Sequence, residues 1–404
     1  MTSPSPQRYA FEWTTAGRLA GETAAWRDLS ESAVEPNPAY GANVLAAAER
    51  HLRRGRPIPL LVARDAARGG ALAALWPLEA RDWRQGFPGR ATRLFENEYT
   101  TLTHPLLRAD DAAEILAQSL AFLAAAPAAD PLVFSYLCEA RGFSALLGET
   151  CARAGLATAR VDGAARAAVD PEPGKSGVRY AREYLSKSRR AGVERRLKRL
   201  KELGAVDFSS IFADAPGGAA ALRSFLDLEA KSWKGRAGTA LANAARTRAF
   251  ALEAFSGENG APRVRLRSLT LEKRPVAMAL DLESQGVAYA FKAAYDEDFA
   301  RFSPGLLLDA DTAGRVGKGG EIARLDSFAQ TELAQDSVWR QREPVGRHVV
   351  ALSGGRSEAE ALAARLRAAT VASDYAKQIA HRGRAAAAVI AGAGLIWALS
   401  RPFA

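Results

Sequence analysis

Three stretches of strand length follow one another in the second half of the chain with almost no residues between them. They cover Val264–Thr270, Pro275–Glu283 and Gly286–Tyr295, and the two linkers read LEKR and SQ. Linkers this short cannot contain a crossover helix, so consecutive strands must run antiparallel. We therefore predict that the second half is built on an antiparallel meander.

The first half alternates helix-like and strand-like stretches, which predicts an α/β (α+β) fold. Apolar residues make up 48% of the chain and charged residues 25%, values that exclude a disordered chain and a multi-span membrane protein. The predicted helices are Ala42–Arg53, Asp110–Ala126, Phe143–Ala154, Gly218–Ala230 and Asn243–Phe255. The predicted strands outside the meander are Ile58–Ala63, Ala71–Leu78, Pro131–Tyr136, Thr158–Val161 and Ile322–Phe328.

A proline- and glycine-rich segment, DPEPGKSG at Asp170–Gly177, is the clearest break in the sequence. A length of 404 residues favours two domains. We predict an N-terminal domain over 1–170, a second domain over 178–350 and a helical C-terminal tail over 351–404. The two halves could share a fold without visible sequence identity.

Much of the net charge of +10 lies in Arg179–Leu203, which holds ten Lys or Arg and three Glu. Leu185, Val193, Leu197 and Leu200 recur there at helical spacing and form a narrow apolar stripe. Two interpretations stay open. The segment is either a solvated amphipathic helix or an anion-binding face for RNA, an acidic glycan or lipid headgroups.

A helix is predicted to begin at Pro304, because proline is favoured at the first helical position and Ser303 can cap the helix. The free N–H groups of Gly305, Leu306 and Leu307, with Arg301 beside them, would suit a pyrophosphate.

Several motifs resemble one known family. The run WKGRAGTA at Trp233–Ala240, the residues from Phe291-Lys292 to Tyr295-Asp296-Glu297, and RFSPGLLL at Arg301–Leu308 occur in the order found in GNAT-type acyltransferases associated with bacterial cellulose biosynthesis, the CelD type. With Glu35-Pro36-Asn37-Pro38, the likeness spans roughly 35–347. This family is similar to the Fem-type aminoacyl transferases, so the resemblance implies tandem GNAT-like domains with mixed, largely antiparallel central sheets flanked by helices.

The resemblance also implies how a donor would bind. In GNAT folds two neighbouring strands splay apart, and the pantetheine arm of an acyl-CoA pairs with the exposed edge, here the strand Gly286–Tyr295. The implied pyrophosphate site consists of Arg301, Ser303, Gly305, Leu306 and Leu307. Pro304 stands where the family loop has its first glycine and offers no N–H, so an aminoacyl-tRNA or another donor stays open.

Acyl transfer to an amine needs a base, a site for the developing oxyanion and a proton for the leaving thiolate. Asp326 is predicted to take the amine proton, directly or through water, unless it only caps the chain or pairs with an arginine. Tyr295 is predicted to protonate the thiolate, unless it is a packing residue. Lys292 is the third predicted catalytic residue: it lies in an apolar strand, so its ammonium group must reach solvent or an anion, such as a phosphate or carboxylate in the cleft.

The acceptor side is predicted to contain Trp233, whose flat face could contact a sugar or an amine, and Lys234 and Arg236, which could bind anionic groups. The alternative is that Trp233 lies in the core and the two basic residues are only solvated. Cys138 and Cys151 have no metal-binding spacing, so we expect no metal.

The resemblance implies an N-acyltransferase that uses acetyl-CoA or another acyl-CoA and acts on a small-molecule or glycan amine, in exopolysaccharide or cell-envelope metabolism. One alternative is a non-catalytic adaptor with a degenerate GNAT domain that binds an anionic membrane, glycan or RNA. Another is a Fem-like transferase that depends on aminoacyl-tRNA.

The two ends of the chain bear on its location. The start, MTSPSPQRYAFEW, lacks the basic and apolar regions of a signal peptide, which predicts a cytoplasmic protein. Near the other end, Ala385–Ser400 is sixteen residues long without a charge, just short of a membrane-spanning helix. We predict weak contact of this run with a partner helix or with the inner membrane at its periphery.

Overall fold

The computed structural model describes residues 8–127, 129–171, 182–257, 262–317, 322–329, 338–353, 355–373 and 375. It confirms the predicted fold class, because a large mixed sheet is flanked by helices. The strands are β1 Tyr9–Thr15, β2 Pro59–Asp65, β3 Ala71–Arg81, β4 Ala91–Leu94, β5 Leu106–Leu107, β6 Leu132–Cys138, β7 Thr158–Val169, β8 Val206–Phe212, β9 Arg263–Leu271, β10 Arg274–Ser284, β11 Val287–Tyr295, β12 Arg324–Asp326 and β13 Gln341–Val350. The helices are α1 Ala16–Leu19, α2 Thr23–Glu31, α3 Ala42–Ala47, α4 Ala112–Ala124, α5 Gly142–Ala154, α6 Lys187–Lys201, α7 Gly218–Lys231, α8 Trp233–Arg236, α9 Ala245–Ala254 and α10 Pro304–Arg315.

The strand order shows that the two halves repeat one plan. The order is β1-β2-β3-β4-β6-β13-β7-β12-β11-β10-β9-β8, and β5 pairs with β3. In the first half β1 to β4 are antiparallel neighbours, and β4 then pairs parallel with β6 across helix α4. In the second half β8 to β11 are antiparallel neighbours, and β11 pairs parallel with β12 across helix α10. The predicted meander is confirmed as β9, β10 and β11.

Strand β13 crosses between the two predicted domains. It follows the second half in sequence, yet it lies between β6 and β7 of the first half and pairs antiparallel with both. The predicted ranges 1–170 and 178–350 therefore share one continuous sheet. The domain boundaries themselves stay a prediction, and most of the break at Asp170–Gly177 lies outside the described residues.

The junction between the halves is closed by buried contacts. Strand β12 pairs with the end of β7, and the Tyr289 hydroxyl donates a hydrogen bond to the Pro36 carbonyl oxygen at 3.0 Å. Arg166 on β7 forms a buried ion pair with Asp326 on β12. The EPNP segment noted in the sequence thus lies against the second half.

Helices cover both faces of the second half. Helices α7 and α9 pack on the face turned toward the first half, and α6 and α10 pack on the opposite face. Arg267 on β9 pairs with Asp281 on β10 and donates to the Thr312 hydroxyl on α10, which holds this helix against the sheet.

Part of the predicted basic segment forms helix α6. Val193, Leu197 and Leu200 pack toward the sheet and α10, as the apolar stripe predicts. The opposite face exposes Lys187, Arg195, Lys198, Arg199 and Lys201. We call these five side chains the α6 basic face.

The predicted tail is described only in part. Residues 356–373 are helical, and the run Ala385–Ser400 lies outside the described residues. Within the part of the chain that the structure describes, no helix has both the length and the apolar character needed to cross a membrane.

Candidate functional site

Strands β11 and β12 pair over only three residues each. Val287–Tyr289 pairs with Arg324–Asp326, and β11 then continues to Tyr295. Beyond Tyr289 no strand of the described chain pairs with β11 on that side. The two strands therefore diverge and leave an open backbone edge on β11, as the resemblance implies.

The register of β10 and β11 shows which backbone groups face this opening. The N–H of Asp296 donates to the carbonyl oxygen of Val276 at 2.9 Å, so these two residues form a hydrogen-bonded pair. Such pairs alternate along antiparallel strands. Ala293 and Tyr295 are therefore at the positions whose N–H and C=O groups point away from β10, toward the opening.

Helix α10 begins at Pro304, as predicted, but Ser303 does not cap it with its side chain. This expectation was wrong because Ser303 is in the left-handed region, with φ 51°. The N–H of Leu307 donates to the Ser303 carbonyl oxygen at 3.1 Å. The N–H groups of Gly305 and Leu306 have no partner within the helix, so they could serve a ligand.

Two predicted residues flank this helix start. Tyr295 is partly buried on the α10 face of the sheet, and a Cβ placed on Gly305 would lie 3.9 Å from its Cδ1 atom. Arg301 is exposed, with its guanidinium carbon 4.8 Å from the centre of the Phe302 ring. The structure thus brings Tyr295 and the proposed phosphate-binding residues together.

A cavity of about 570 Å³ lies on the opposite face of the sheet, where β11 and β12 diverge. Both halves of the chain line it, since Glu98, Tyr99 and Thr101 come from the first half. The second half contributes Gly238, Thr239, Ala240, Asn243, Ala244, Arg246, Thr247, Ala290, Phe291, Lys292, Ser327, Phe328 and Ala329. We call this the acceptor cavity.

Lys292 reaches a buried carboxylate, one of the two outcomes that its apolar strand predicts. Its Nζ lies 3.0 Å from Glu229 Oε1 on α7 and 2.9 Å from the Thr239 carbonyl oxygen. Glu229 is fully buried, and its Oε2 accepts the N–H of Leu241 at 2.8 Å. The carboxylate therefore holds both the lysine and the loop that lines the cavity.

Lys234 reaches the open edge of β11. Its Nζ donates to the Ala293 carbonyl oxygen at 2.6 Å. Burial lowers the pKa of Lys234, and the nearby Lys292 lowers it further, while Glu229 acts in the opposite direction. Lys234, predicted to lie on the acceptor side, therefore contacts the backbone of β11 at its open edge.

None of the three predicted acceptor-side residues, Trp233, Lys234 and Arg236, lines the acceptor cavity. Trp233 is 47% exposed, so it neither fills the core nor lines the acceptor cavity. Arg236 is paired with Glu297 at 2.6 Å, which ties α8 to the turn that precedes α10.

Asp326 is fully buried and paired with Arg166. Its Oδ1 lies 2.7 Å from Arg166 Nε and its Oδ2 lies 2.9 Å from a terminal guanidinium nitrogen, while Oδ1 also accepts the N–H of Phe328. This arrangement matches the alternative to a catalytic base that the sequence analysis kept open, in which Asp326 pairs with an arginine. The neighbouring Ser327 and Phe328, rather than Asp326, line the acceptor cavity.

In the described part of the first half, the chain that follows β4 occupies the corresponding place beside β6. Strand β4 pairs with β6 at Thr92 and Arg93 and ends at Leu94. The following segment 95–105 lies against β6, where Thr103 and Tyr136 exchange two hydrogen bonds of 3.0 and 2.9 Å. The same segment then supplies Tyr99 to the acceptor cavity of the second half.

Sequence reasoning missed Glu229, Glu98 and Tyr99. Glu229 stands near the end of an ordinary amphipathic helix, and Tyr99 lies in an irregular segment of the other half. No local sequence pattern marks these three residues, because the residues that they contact or face lie far away along the chain. Among the described residues, no group of three or more His, Cys, Asp or Glu could hold a metal ion.

Comparisons with known proteins agree with this architecture. Residues 187–333 match the family model for the acetyltransferase (GNAT) domain. A search of curated proteins found no match. The C-terminal domain of a candidate lysylphosphatidylglycerol synthetase from Agrobacterium fabrum has a similar fold, with 15% identity, a TM-score of 0.50 and coverage of 86% of this chain and 95% of that one.

Two further solved structures show weaker similarity. A conserved protein of unknown function from Bacteroides thetaiotaomicron VPI-5482 has 11% identity and a TM-score of 0.49, covering 84% of this chain and 98% of its own. FemX has 11% identity and a TM-score of 0.48, covering 81% of this chain and 95% of its own. The diverging strands β11 and β12 described above lie within residues 187–333, the part of the chain that matches the GNAT domain model.

Proposed function

We propose that the chain is an N-acyltransferase that takes an acyl group from an acyl-CoA and transfers it to an amine. The observation that carries this proposal is the divergence of β11 from β12, with helix α10 beginning shortly after β11 ends. It leaves an extended backbone edge for a donor arm and a helix N-terminus for its pyrophosphate on the same side of the domain. We further propose that this acyl transfer serves exopolysaccharide or cell-envelope metabolism, as in the CelD-type enzymes that the sequence resembles.

We propose that the donor and the acceptor bind on opposite faces of the sheet. Tyr295 and the start of α10 lie on one face, which we assign to the donor. The acceptor cavity lies on the other face, beside Lys292. Donor and acceptor would then meet through the opening between β11 and β12, and the enzyme would act mainly by positioning them.

The chemical steps can be assigned to residues at this opening. Glu98 is the carboxylate among the cavity-lining residues that the structure describes, and we propose it or a water as the acceptor of the amine proton, in place of the buried Asp326. Tyr295 would donate a proton to the departing thiolate. Lys292 would stabilise negative charge on the acceptor side, with Glu229 holding it in position.

Acetyl-CoA should bind the full chain, and Gly305→Glu should weaken that binding by about tenfold or more. A carboxylate at this position would stand where the pyrophosphate is proposed to rest, and like charges a few ångströms apart repel strongly near a protein surface. Calorimetric titration with acetyl-CoA measures the effect.

Two control variants make this test specific. Gly305→Ala should bind normally, since its Cβ would meet Tyr295 at an ordinary contact distance of 3.9 Å. Gly314→Glu adds the same charge near the other end of α10, where a Cβ has no neighbour within 4 Å, and should also bind normally. Unchanged binding in Gly305→Glu would show that the donor does not rest on this helix.

One observation favours a second candidate, a transferase that uses aminoacyl-tRNA. The α6 basic face lies on the same side of the sheet as α10, and α6 packs against α10 and the turn Glu297–Phe302. A polyanionic donor could therefore extend from the helix start across this face. The same face would serve an anionic glycan or membrane in the adaptor alternative.

Reversing the charge of Arg195, Lys198 and Arg199 should flatten the salt dependence of binding to an anionic partner. Each phosphate contact that is lost reduces the slope of log affinity against log salt by about one unit for a nucleic acid. Titrating the full chain with bulk tRNA at several salt concentrations gives the slope. The triple variant Arg18→Glu, Arg27→Glu and Arg153→Glu changes the same charge at exposed positions of the first half and serves as the control.

If the salt dependence of tRNA binding has the same slope in both triple variants, the α6 basic face does not bind the anion and is only a solvated helix surface. A flattened slope in the α6 variant alone would support it as the anion-binding face.

A further inference from the structure

We infer that Lys234 is a specificity-determining residue of the donor groove, the opening along the free edge of β11. Its ammonium group already donates a hydrogen bond to the backbone carbonyl with which an amide-bearing donor arm would pair. The inference rests on the proposed function, and it concerns how the groove selects among donors. It departs from the sequence-based expectation that Lys234 binds an anionic group of the acceptor.

The carbonyl in question belongs to the open edge of β11. By the register of β10 and β11, the C=O of Ala293 points toward the opening. A donor arm that lies along this edge as an added strand would donate an amide N–H to such a carbonyl. In the structure the Nζ of Lys234 already donates to it at 2.6 Å.

The position of Lys234 is held by the local backbone. The Ser232 hydroxyl oxygen accepts the N–H of Lys234 at 3.2 Å and so caps α8. Next to it, a Cβ on Gly235 would lie 1.7 Å from the Ala230 carbonyl oxygen, so glycine alone permits this close approach. Helix α8 is therefore fixed at a distance from which the lysine reaches the edge.

The charges around Lys234 explain why it takes a carbonyl rather than a carboxylate. Glu229, the nearby buried carboxylate, is already bound by Lys292 through Oε1 and by the Leu241 N–H through Oε2. Lys234 is left to a neutral acceptor, and a hydrogen bond from an ammonium group is stronger than one from an amide. An incoming amide must therefore displace the stronger donor.

This competition has a consequence for donor choice. Donors that pair through amide groups, such as the pantetheine arm of an acyl-CoA, lose part of the edge to Lys234. Donors or donor fragments without such amides are indifferent to it. Lys234 therefore reduces the affinity of the groove for pantetheine thioesters selectively.

The test compares two ligands on the full chain by calorimetry. Acetyl-CoA carries the pantetheine amides, and adenosine 3′,5′-bisphosphate carries the nucleoside and two of the three phosphates without them. Lys234→Met keeps an unbranched side chain that is shorter by one atom, and it removes the hydrogen-bond donor. It should tighten acetyl-CoA binding by about fivefold, the equivalent of one net hydrogen bond, and leave adenosine 3′,5′-bisphosphate unchanged.

Two further variants complete the design. Lys231→Met removes a charge from the exposed end of α7 and should change neither affinity. Lys234→Gln is too short to make the same contact and should shift acetyl-CoA in the same direction as Lys234→Met, which guards against a folding defect in one variant.

Each outcome has one meaning. Weaker or unchanged acetyl-CoA binding in both Lys234 variants, with the wild type binding, overturns the role of Lys234 and leaves the proposed function standing. Acetyl-CoA binding to none of the proteins overturns the proposed function, and the inference with it. Tighter binding in the Lys234 variants alone supports both.

Discussion

Replacing Arg166 with methionine is expected to lower the free energy of unfolding by about 3 kcal/mol, because it removes the closer partner of the buried Asp326 carboxylate and leaves only Arg324, at 3.7 Å. Arg166 joins the two halves of the sheet through Asp326, and the side chains of both residues are at most 3% exposed. The loss should appear as a lower urea midpoint for the intrinsic tryptophan fluorescence.

Matched variants separate this effect from general damage to the core. Arg166→Met combined with Asp326→Leu should recover part of the stability, since no lone charge then stays buried. Arg356→Met, which breaks an exposed pair with Glu360, should change the free energy by less than about 0.5 kcal/mol. A loss of that small size in Arg166→Met would show that the junction is solvated.

The second large effect is expected at Glu229, the buried carboxylate that binds the cavity-lining Lys292. Glu229→Leu should lower the free energy of unfolding by about 3–5 kcal/mol, because it leaves the Lys292 ammonium group and the Leu241 N–H without their buried acceptor. Chemical denaturation of the purified variant measures this loss.

A double-mutant cycle with Lys292→Met then isolates the coupling between the two residues. The double variant should lose less stability than the sum of the single variants, since it contains neither charge. The exposed pair Arg315 and Asp311 provides the reference cycle, where the coupling should be a few tenths of a kcal/mol. Additive losses at Glu229 and Lys292 would mean that the two side chains do not interact in solution.

The predictable features of this fold are those with local causes. The short linkers required antiparallel pairing, and the structure confirms β9, β10 and β11 as neighbours. Helix α10 begins at Pro304, as the preference of proline for the first helical position predicts. Each of these signals lies within a few residues of the element that it predicts.

The features that sequence reasoning missed depend on contacts between distant residues. Strand β8 alternates apolar and polar residues only weakly, and β13 contains a proline and a glycine, so neither gives a strong strand pattern. Tyr99 of the first half lines the acceptor cavity, and Glu229 on α7 binds its Lys292. Both contacts join residues that are far apart in the sequence. The cap expected from Ser303 failed because the preceding turn forces that residue into the left-handed region.

The place of β13 in the sheet bears on how the protein is made. During synthesis the first half leaves the ribosome with β6 and β7 but without the strand that separates them, since β13 begins at Gln341 and β7 ends at Val169. Until then two strand edges of the nascent chain stay unsatisfied and open to wrong pairing. The second half, whose strands β8 to β12 are all present earlier, is expected to fold first and to act as a template on which the first half is completed.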